Sequence, residues 1–151
     1  TDFSFAPTGS DGKPIANRVE PGKRPRSSMS PTLVIDKTTG KVVMSAGSPG
    51  GALIIHFTAK TLIGTLNWGL NAQEAINLPN FGSLNGPSIL EVNRFAPKVV
   101  EALKTKGHEI REVDMTSGLQ AIERTTAPNS SIYNGFFGGA DPRREGVVMG
   151  D

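Results

Sequence analysis

The sequence predicts an α+β fold with antiparallel strands and helices layered on a sheet, and three observations predict it. Short β-branched runs flank a glycine-containing turn, the mark of a hairpin. Three segments have helical signals in their apolar spacing or end residues. Strands and helices do not alternate regularly, which argues against a doubly wound parallel sheet. With 151 residues, one domain with a sizeable core is expected, and neither a repeat nor an internal boundary is visible.

Residues 6 to 26 are rich in Pro, Gly and charge without an apolar period, so they read as a long surface loop. Thr32 to Ile35, the turn Asp36 to Gly40, and Lys41 to Ser45 form the hairpin, with Gly40 free to take positive φ. From Ala52 to about Trp68, apolar residues at 55, 59, 62, 63 and 66 follow a helical period. A second helix covers Ala72 to Asn77, capped by Asn71 and stopped by Pro79. Ser88 to Val92 reads as a strand. A third helix runs from about Pro97 to Lys106, with Val99, Val100 and Leu103 on one face and Gly107 as its stop. Glu109 to Val113, Gly118 to Arg124 and Ser131 to Phe137 are further strands, before the chain finishes in Gly138 through Arg144.

Composition excludes several classes. A net charge of +2, with Lys and Arg interspersed among acids, does not mark a nucleic-acid binder. The cluster Lys23, Arg24, Arg26 is short and broken by Pro25, so it reads as a solvated or substrate-facing loop. The lack of Cys removes disulfides and thiolate chemistry, and two histidines make a metal site unexpected. No cofactor is predicted. The most apolar stretch, Ala52 to Leu66, contains His56 and Lys60 and is too short to span a bilayer. The start at Thr1, without an initiator Met, reads as a processed or truncated end.

Ala46-Gly47-Ser48-Pro49-Gly50 approximates a nucleophile elbow, but Pro49 lacks the N–H that such an elbow needs after its serine. Gly50 and Gly51, directly before the first helix, carry backbone N–H groups without side chains to block approach. They form either an oxyanion-binding turn or simply a tight strand-to-helix connection. Ser27 and Ser28 are either hydroxyl donors for a carboxylate or members of a Ser/Pro-rich turn. An N-terminal Thr1 invites the reading of a nucleophile using its own α-amine as base. No role is assigned to His56 or His108.

Lys23 through Thr32, Gly47-Ser48-Pro49-Gly50-Gly51 and Ala140-Asp141-Pro142-Arg143, with Asp2-Phe3-Ser4 and Asn67 through Ala75, occur in an order that resembles the small subunit of γ-glutamyltransferases across essentially the whole chain. That resemblance implies an N-terminal-nucleophile hydrolase, a four-layer αββα sandwich of which this chain is the C-terminal part of the small subunit. It implies γ-glutamyl transfer or hydrolysis on glutathione- or glutamine-like donors through a threonine ester. Asp2 would bind the donor's α-amino group, Ser27 and Ser28 its α-carboxylate, and Gly50 and Gly51 the oxyanion. Residues 6 to 26 would form a lid loop without the tyrosine gate of some bacterial members.

In the family the nucleophilic threonine precedes the aspartate motif by more than one residue, so Thr1 resembles a pocket residue and the nucleophile is expected outside this chain. The implied partners are the large subunit, which holds a carboxylate-binding arginine, and the missing N-terminal segment of the small subunit. The implied location is periplasmic or extracellular. A cephalosporin (glutaryl) acylase of the same family is the competing enzyme, and a non-catalytic binding or structural remnant is the competing class.

Overall fold

A computed structural model describes residues 2–126 and 134–150. Thr1 and residues 131–133 of the last strand expectation lie outside the described residues. The hairpin forms as expected, with β1 (Thr32–Ile35) antiparallel to β2 (Val42–Gly47). Two backbone N–H groups, of Thr38 and Thr39, donate to the Asp36 carboxylate at 2.8 Å, and Gly40 turns the chain with φ 66°. These bonds, that from Thr39 foremost, hold the Asp36 carboxyl below its ordinary range.

A 3-10 turn over Gly51–Leu53 leads into α1 (Ile54–Leu66), followed by α2 (Ala72–Asn77). The second helix has the expected cap and the reciprocal bond as well: Asn71 accepts from Glu74 N–H while the Glu74 carboxylate accepts from Asn71 N–H. Then come β3 (Phe81–Ser83), β4 (Ser88–Glu91), α3 (Pro97–Thr105), β5 (Ile110–Val113), β6 (Gln120–Thr126) and β7 (Asn134–Ala140). One sheet has the order β1-β2-β6-β7 and is antiparallel throughout.

Three expectations need correction. A second sheet, β3-β4-β5, pairs β4 with β5 in parallel, because α3 carries the chain back between them. The sequence reading missed β3, whose three residues include Gly82 and give little signal. The final strand runs through Gly138 and Gly139 instead of stopping at Phe137. Only glycine fits at 139, since a Cβ there would lie 2.8 Å from Gln73 N and 2.9 Å from Ala72 C. The Gln73 side chain locks this contact, accepting from Ala140 N–H at 3.0 Å and donating to Ala140 C=O at 2.9 Å.

The core lies between the helices and one face of the four-stranded sheet: Met44, Ala46 and Ala121 from the strands meet Phe57, Ala72 and Ile76, with Met115 and Leu119 alongside. Helix α1 does not bury the stripe that its periodicity suggests. Ile55, Ile63 and Leu66 are exposed, whereas Phe57, Thr61 and Gly64 face inward. Close crossing on α2 dictates that choice, because a Cβ on Gly64 would meet the Ala75 Cβ at 2.8 Å. The opposite sheet face is also apolar: Val148 packs over Gly138 there, while Leu33, Ile35, Ile122 and Phe136 stay exposed.

A buried ionic cluster joins these layers. Arg143 donates from Nε and Nη2 to the Glu91 carboxylate at 2.7 and 2.8 Å and from Nη1 to Asp141 at 3.1 Å. Asp141 also accepts from Ser117 Oγ at 2.5 Å and from Leu119 N–H at 3.0 Å. The C-terminal carbonyls of α2 receive three cations: Ile76 and Leu78 C=O accept from both Lys60 and Arg143, and Asn77 C=O accepts from Arg94 at 2.6 Å. Burial would raise the Glu91 and Asp141 carboxyls, yet bonds from Arg143, Asn80, Ser117 and Leu119 hold both below their ordinary values.

Removing Arg143 strands two buried carboxylates, so Arg143→Met should cost about 3–5 kcal/mol in urea unfolding of the full-length protein. Lys60 gives a pH signature. Burial, aided by Arg143, lowers its ammonium from 10.5 to about 8. Below that pH both folded and unfolded chains hold the proton; above it the unfolded chain binds more protons, so this group's contribution to stability rises with pH. Unfolding free energies of the wild type relative to Lys60→Met should accordingly increase between about pH 8 and about pH 10.

Candidate functional site

The long loop over residues 6–26 is ordered by its own backbone bonds and brings the chain back to its start. Gly9 N–H donates to Lys13 C=O, Ile15 N–H to Pro7 C=O and Val19 N–H to Ser4 C=O, while Arg18 and Lys23 both pair with Glu20. Asp2 and Arg26 exchange backbone bonds of 2.9 and 3.1 Å, and the Asn17 side chain bridges them by donating to Asp2 C=O and accepting from Arg26 N–H. Asp2 is therefore held beside the residue that precedes Ser27. Its carboxylate takes an exposed ion pair from Arg26 at 3.3 Å, which carries little energy in water.

Ser27 Oγ accepts from Met29 N–H at 3.4 Å and Ser30 Oγ donates to Ser28 C=O at 3.2 Å, as in a serine turn. The turn hands the chain to β1. Thr32 lies opposite Ala46 in the ladder, and the position of a Cβ on Gly47 is 3.9 Å from Pro31 Cα. The serine pair and the Gly50-Gly51 turn thus leave the same end of one hairpin.

Gly50 and Gly51 have φ of 144° and 58°, values that L side chains rarely adopt. Their carbonyls accept from Leu53 and Ile54 N–H, but among the described residues neither glycine N–H has an acceptor. Ser48 is fully engaged, donating to Pro49 C=O at 2.7 Å and accepting from Gly118 N–H at 3.1 Å, so it braces the turn. Pro49 seats against Gly118, where a Cβ would approach it to 2.8 Å.

A cavity of about 320 Å³ adjoins this turn, lined by Gly50, Gly51, Leu53 and Phe57 on one side and Asp114, Met115, Thr116 and Arg144 on the other. The sequence reading missed the second set. Arg144 follows a quoted motif and gave a signal that could have been used; Asp114 and Thr116, past a strand end, gave none. His56 instead packs against Gly82 and accepts from Ser83 N–H at 3.3 Å, and His108 contacts Ser88 Oγ, both away from this turn's lining. Among the described residues no group of acidic or histidine side chains could hold a metal ion.

Residues 1–151 match the family Gamma-glutamyltranspeptidase. The chain belongs to this family. It is 36% identical over 129 residues to the glutathione hydrolase proenzyme of Escherichia coli K12, covering 85% of this chain and 21% of that protein. It therefore spans about a fifth of that relative's length. The fold agrees with the crystal structure of the T380A mutant of Helicobacter pylori gamma-glutamyltranspeptidase at TM-score 0.76 and 30% identity, over 94% of this chain and 77% of that one. Cephalosporin acylase from Bacillus halodurans shares the fold at TM-score 0.64 with 24% identity, over 74% of this chain and 20% of that one, and is a more distant neighbour. Helices packed on one sheet face are this family's share of the N-terminal-nucleophile hydrolase αββα sandwich.

Backbone geometry at the two glycines predicts separable costs. Gly51→Ala meets open space and should lose only about 1–2 kcal/mol for its left-handed φ, whereas Gly50→Ala, whose Cβ would fall 2.5 Å from the Phe57 ring, should lose more. Denaturant midpoints of the two variants, compared in the full-length protein, check the order.

Proposed function

We propose that this chain is the C-terminal portion of a γ-glutamyltransferase small subunit and supplies the donor-binding and oxyanion-binding parts of an enzyme that transfers or hydrolyses γ-glutamyl groups of glutathione- or glutamine-like compounds. The observation that carries this reading is the convergence of the Asp2–Arg26 bridge, the serine pair and the Gly50-Gly51 turn at one end of one hairpin. In this assignment Asp2 holds the α-ammonium, Ser27 and Ser28 the α-carboxylate, and the free N–H groups of Gly50 and Gly51 the developing oxyanion. Such donors act where charge builds in the transition state and contribute about 3 kcal/mol each.

The nucleophile is a threonine outside these 151 residues, because Thr1 adjoins Asp2 at the ammonium end of the donor, several bonds from the reacting carbonyl. It forms the γ-glutamyl ester that water or an amine then opens. The large subunit and the N-terminal segment of the small subunit cover the apolar sheet face bearing Leu33, Ile35, Ile122 and Phe136, the surface that a second sheet layer would bury. Residues 6–26 serve as the loop over the pocket. The family resemblance supports a periplasmic or extracellular location, and among the described residues no helix is long and apolar enough to cross a membrane.

Steady-state release of nitroaniline from γ-glutamyl-p-nitroanilide by the complete protein tests the reading. Turnover is expected, and Asp2→Ala should raise KM at least about tenfold through loss of a charge-assisted contact. No turnover, or better turnover of the glutaryl anilide, would reject it.

A further inference from the structure

The dipeptide Asn-Gly occurs twice in the chain, at 85–86 and at 134–135, and the fold treats the two differently. Asn85 and Gly86 are exposed in the turn between β3 and β4, where the last paired residues are Ser83 and Ser88. Asn85 takes the left-handed region with φ 64°, which its short amide side chain tolerates. Ser83 Oγ ties the turn through a carbonyl, donating to Gly86 C=O at 3.0 Å. Among the described residues, neither the Asn85 side chain nor the Gly86 N–H has a hydrogen-bond partner. The space around the glycine is open as well, since a Cβ on Gly86 would meet nothing within 4 Å. By contrast, Asn134 and Gly135 belong to β7 and pair with Thr126 and Thr125 of β6.

An asparagine amide is a latent acyl donor, and the backbone nitrogen of the next residue can close a five-membered ring on it where the chain is free to rotate. We propose that Asn85-Gly86 is a self-modification site, at which the Gly86 nitrogen attacks Asn85 Cγ and expels ammonia. The Gly86 N–H loses its proton to solvent base, the N–Cγ bond forms, and the Cγ–Nδ2 bond breaks as that nitrogen takes up a proton. Water then adds to either carbonyl of the resulting succinimide and opens it, leaving an aspartyl or an isoaspartyl residue at position 85. Exposure supplies the water and the base, and the attacking nitrogen surrenders no internal hydrogen bond. Glycine at 86 adds no Cβ to shield that nitrogen or restrict its approach. At 134–135 the paired, extended backbone keeps the nitrogen away from the side chain, and reaching the ring geometry would open the end of the β6-β7 ladder. Either product puts a carboxylate on the turn, and the isoaspartyl form also lengthens the backbone by one carbon between Ser83 and Ser88.

Incubating the complete, folded protein in buffered water labelled with heavy oxygen tests the proposal, with the peptides spanning both dipeptides weighed after a mildly acidic digest. Label should enter at position 85 severalfold faster than at position 134, and faster as pH rises, because the attacking nitrogen must be deprotonated. Gly86→Ala should slow labelling at position 85 severalfold. Its methyl fits the open space at a φ outside the left-handed region, yet it hinders the rotation that ring closure requires. Asn85→Gln, which must close a six-membered ring, should slow it too. No label at position 85 after prolonged alkaline incubation, or equal rates at 85 and 134, would overturn the proposal within the wild type, whether or not a variant folds. Undiminished labelling in Gly86→Ala would overturn it as well.

Discussion

The six-residue helix α2 depends on charges brought to both of its ends, and the rest of the structure is arranged to bring them. Its first turn receives carboxylates: Glu74 closes the cap, and Glu123 from β6 accepts Ala72 N–H at 2.8 Å. Its last turn receives Lys60 from α1, Arg94 from the loop after β4 and Arg143 from the C-terminal segment. Acids at the start and bases at the end match the helix dipole, and such a short helix would not persist without them. Because Glu123, Lys60, Arg94 and Arg143 come from different parts of the chain, satisfying one helix fixes α1, both sheets and the chain's end relative to one another.

That dependence explains why the Asp141-Pro142-Arg143 motif sits far along the chain yet governs its middle. Glu91 and Asp141 divide one guanidinium between them, and Asn80 links Glu91 to Ser117 by donating from its backbone to the first and from its side chain to the second. The wall that carries Met115, Thr116 and Arg144 is therefore positioned by the same network that anchors α2. Fold and candidate site share a support.

Local signals made much of this legible in the sequence. Asn71 announces the cap of α2, Pro97 and Gly107 bracket α3, and Gly40 marks a hairpin turn, because each works through neighbours in the chain. What the sequence hid depends on distant partners. Lys60 reads as an interruption in an apolar helix and becomes a buried cap for another helix, while the stripe at 55, 63 and 66 lies exposed because glycine, and not bulk, is required at the crossing with α2. Parallel pairing of β4 with β5 was equally hidden, since strand direction is set by the path of α3. Among the candidate site residues, the glycines and serines were visible as residue types, but that both segments leave the same end of one hairpin is a property of strand pairing.

That register has its origin at the other end of the ladder. The five-residue reversal from Asp36 to Gly40 decides which residue of β1 faces which residue of β2, and the irregularity between Val34 and Ile35 takes up the remaining offset. Lengthening or shortening the reversal by one residue would slide one strand by about 3.4 Å and turn its side chains to the opposite face. The alignment of the chain segments at the far end of the hairpin is thus encoded in a surface turn remote from them, and because the same slip would turn Val34 away from the core, a change in the turn's length acts on the core and on the candidate site together.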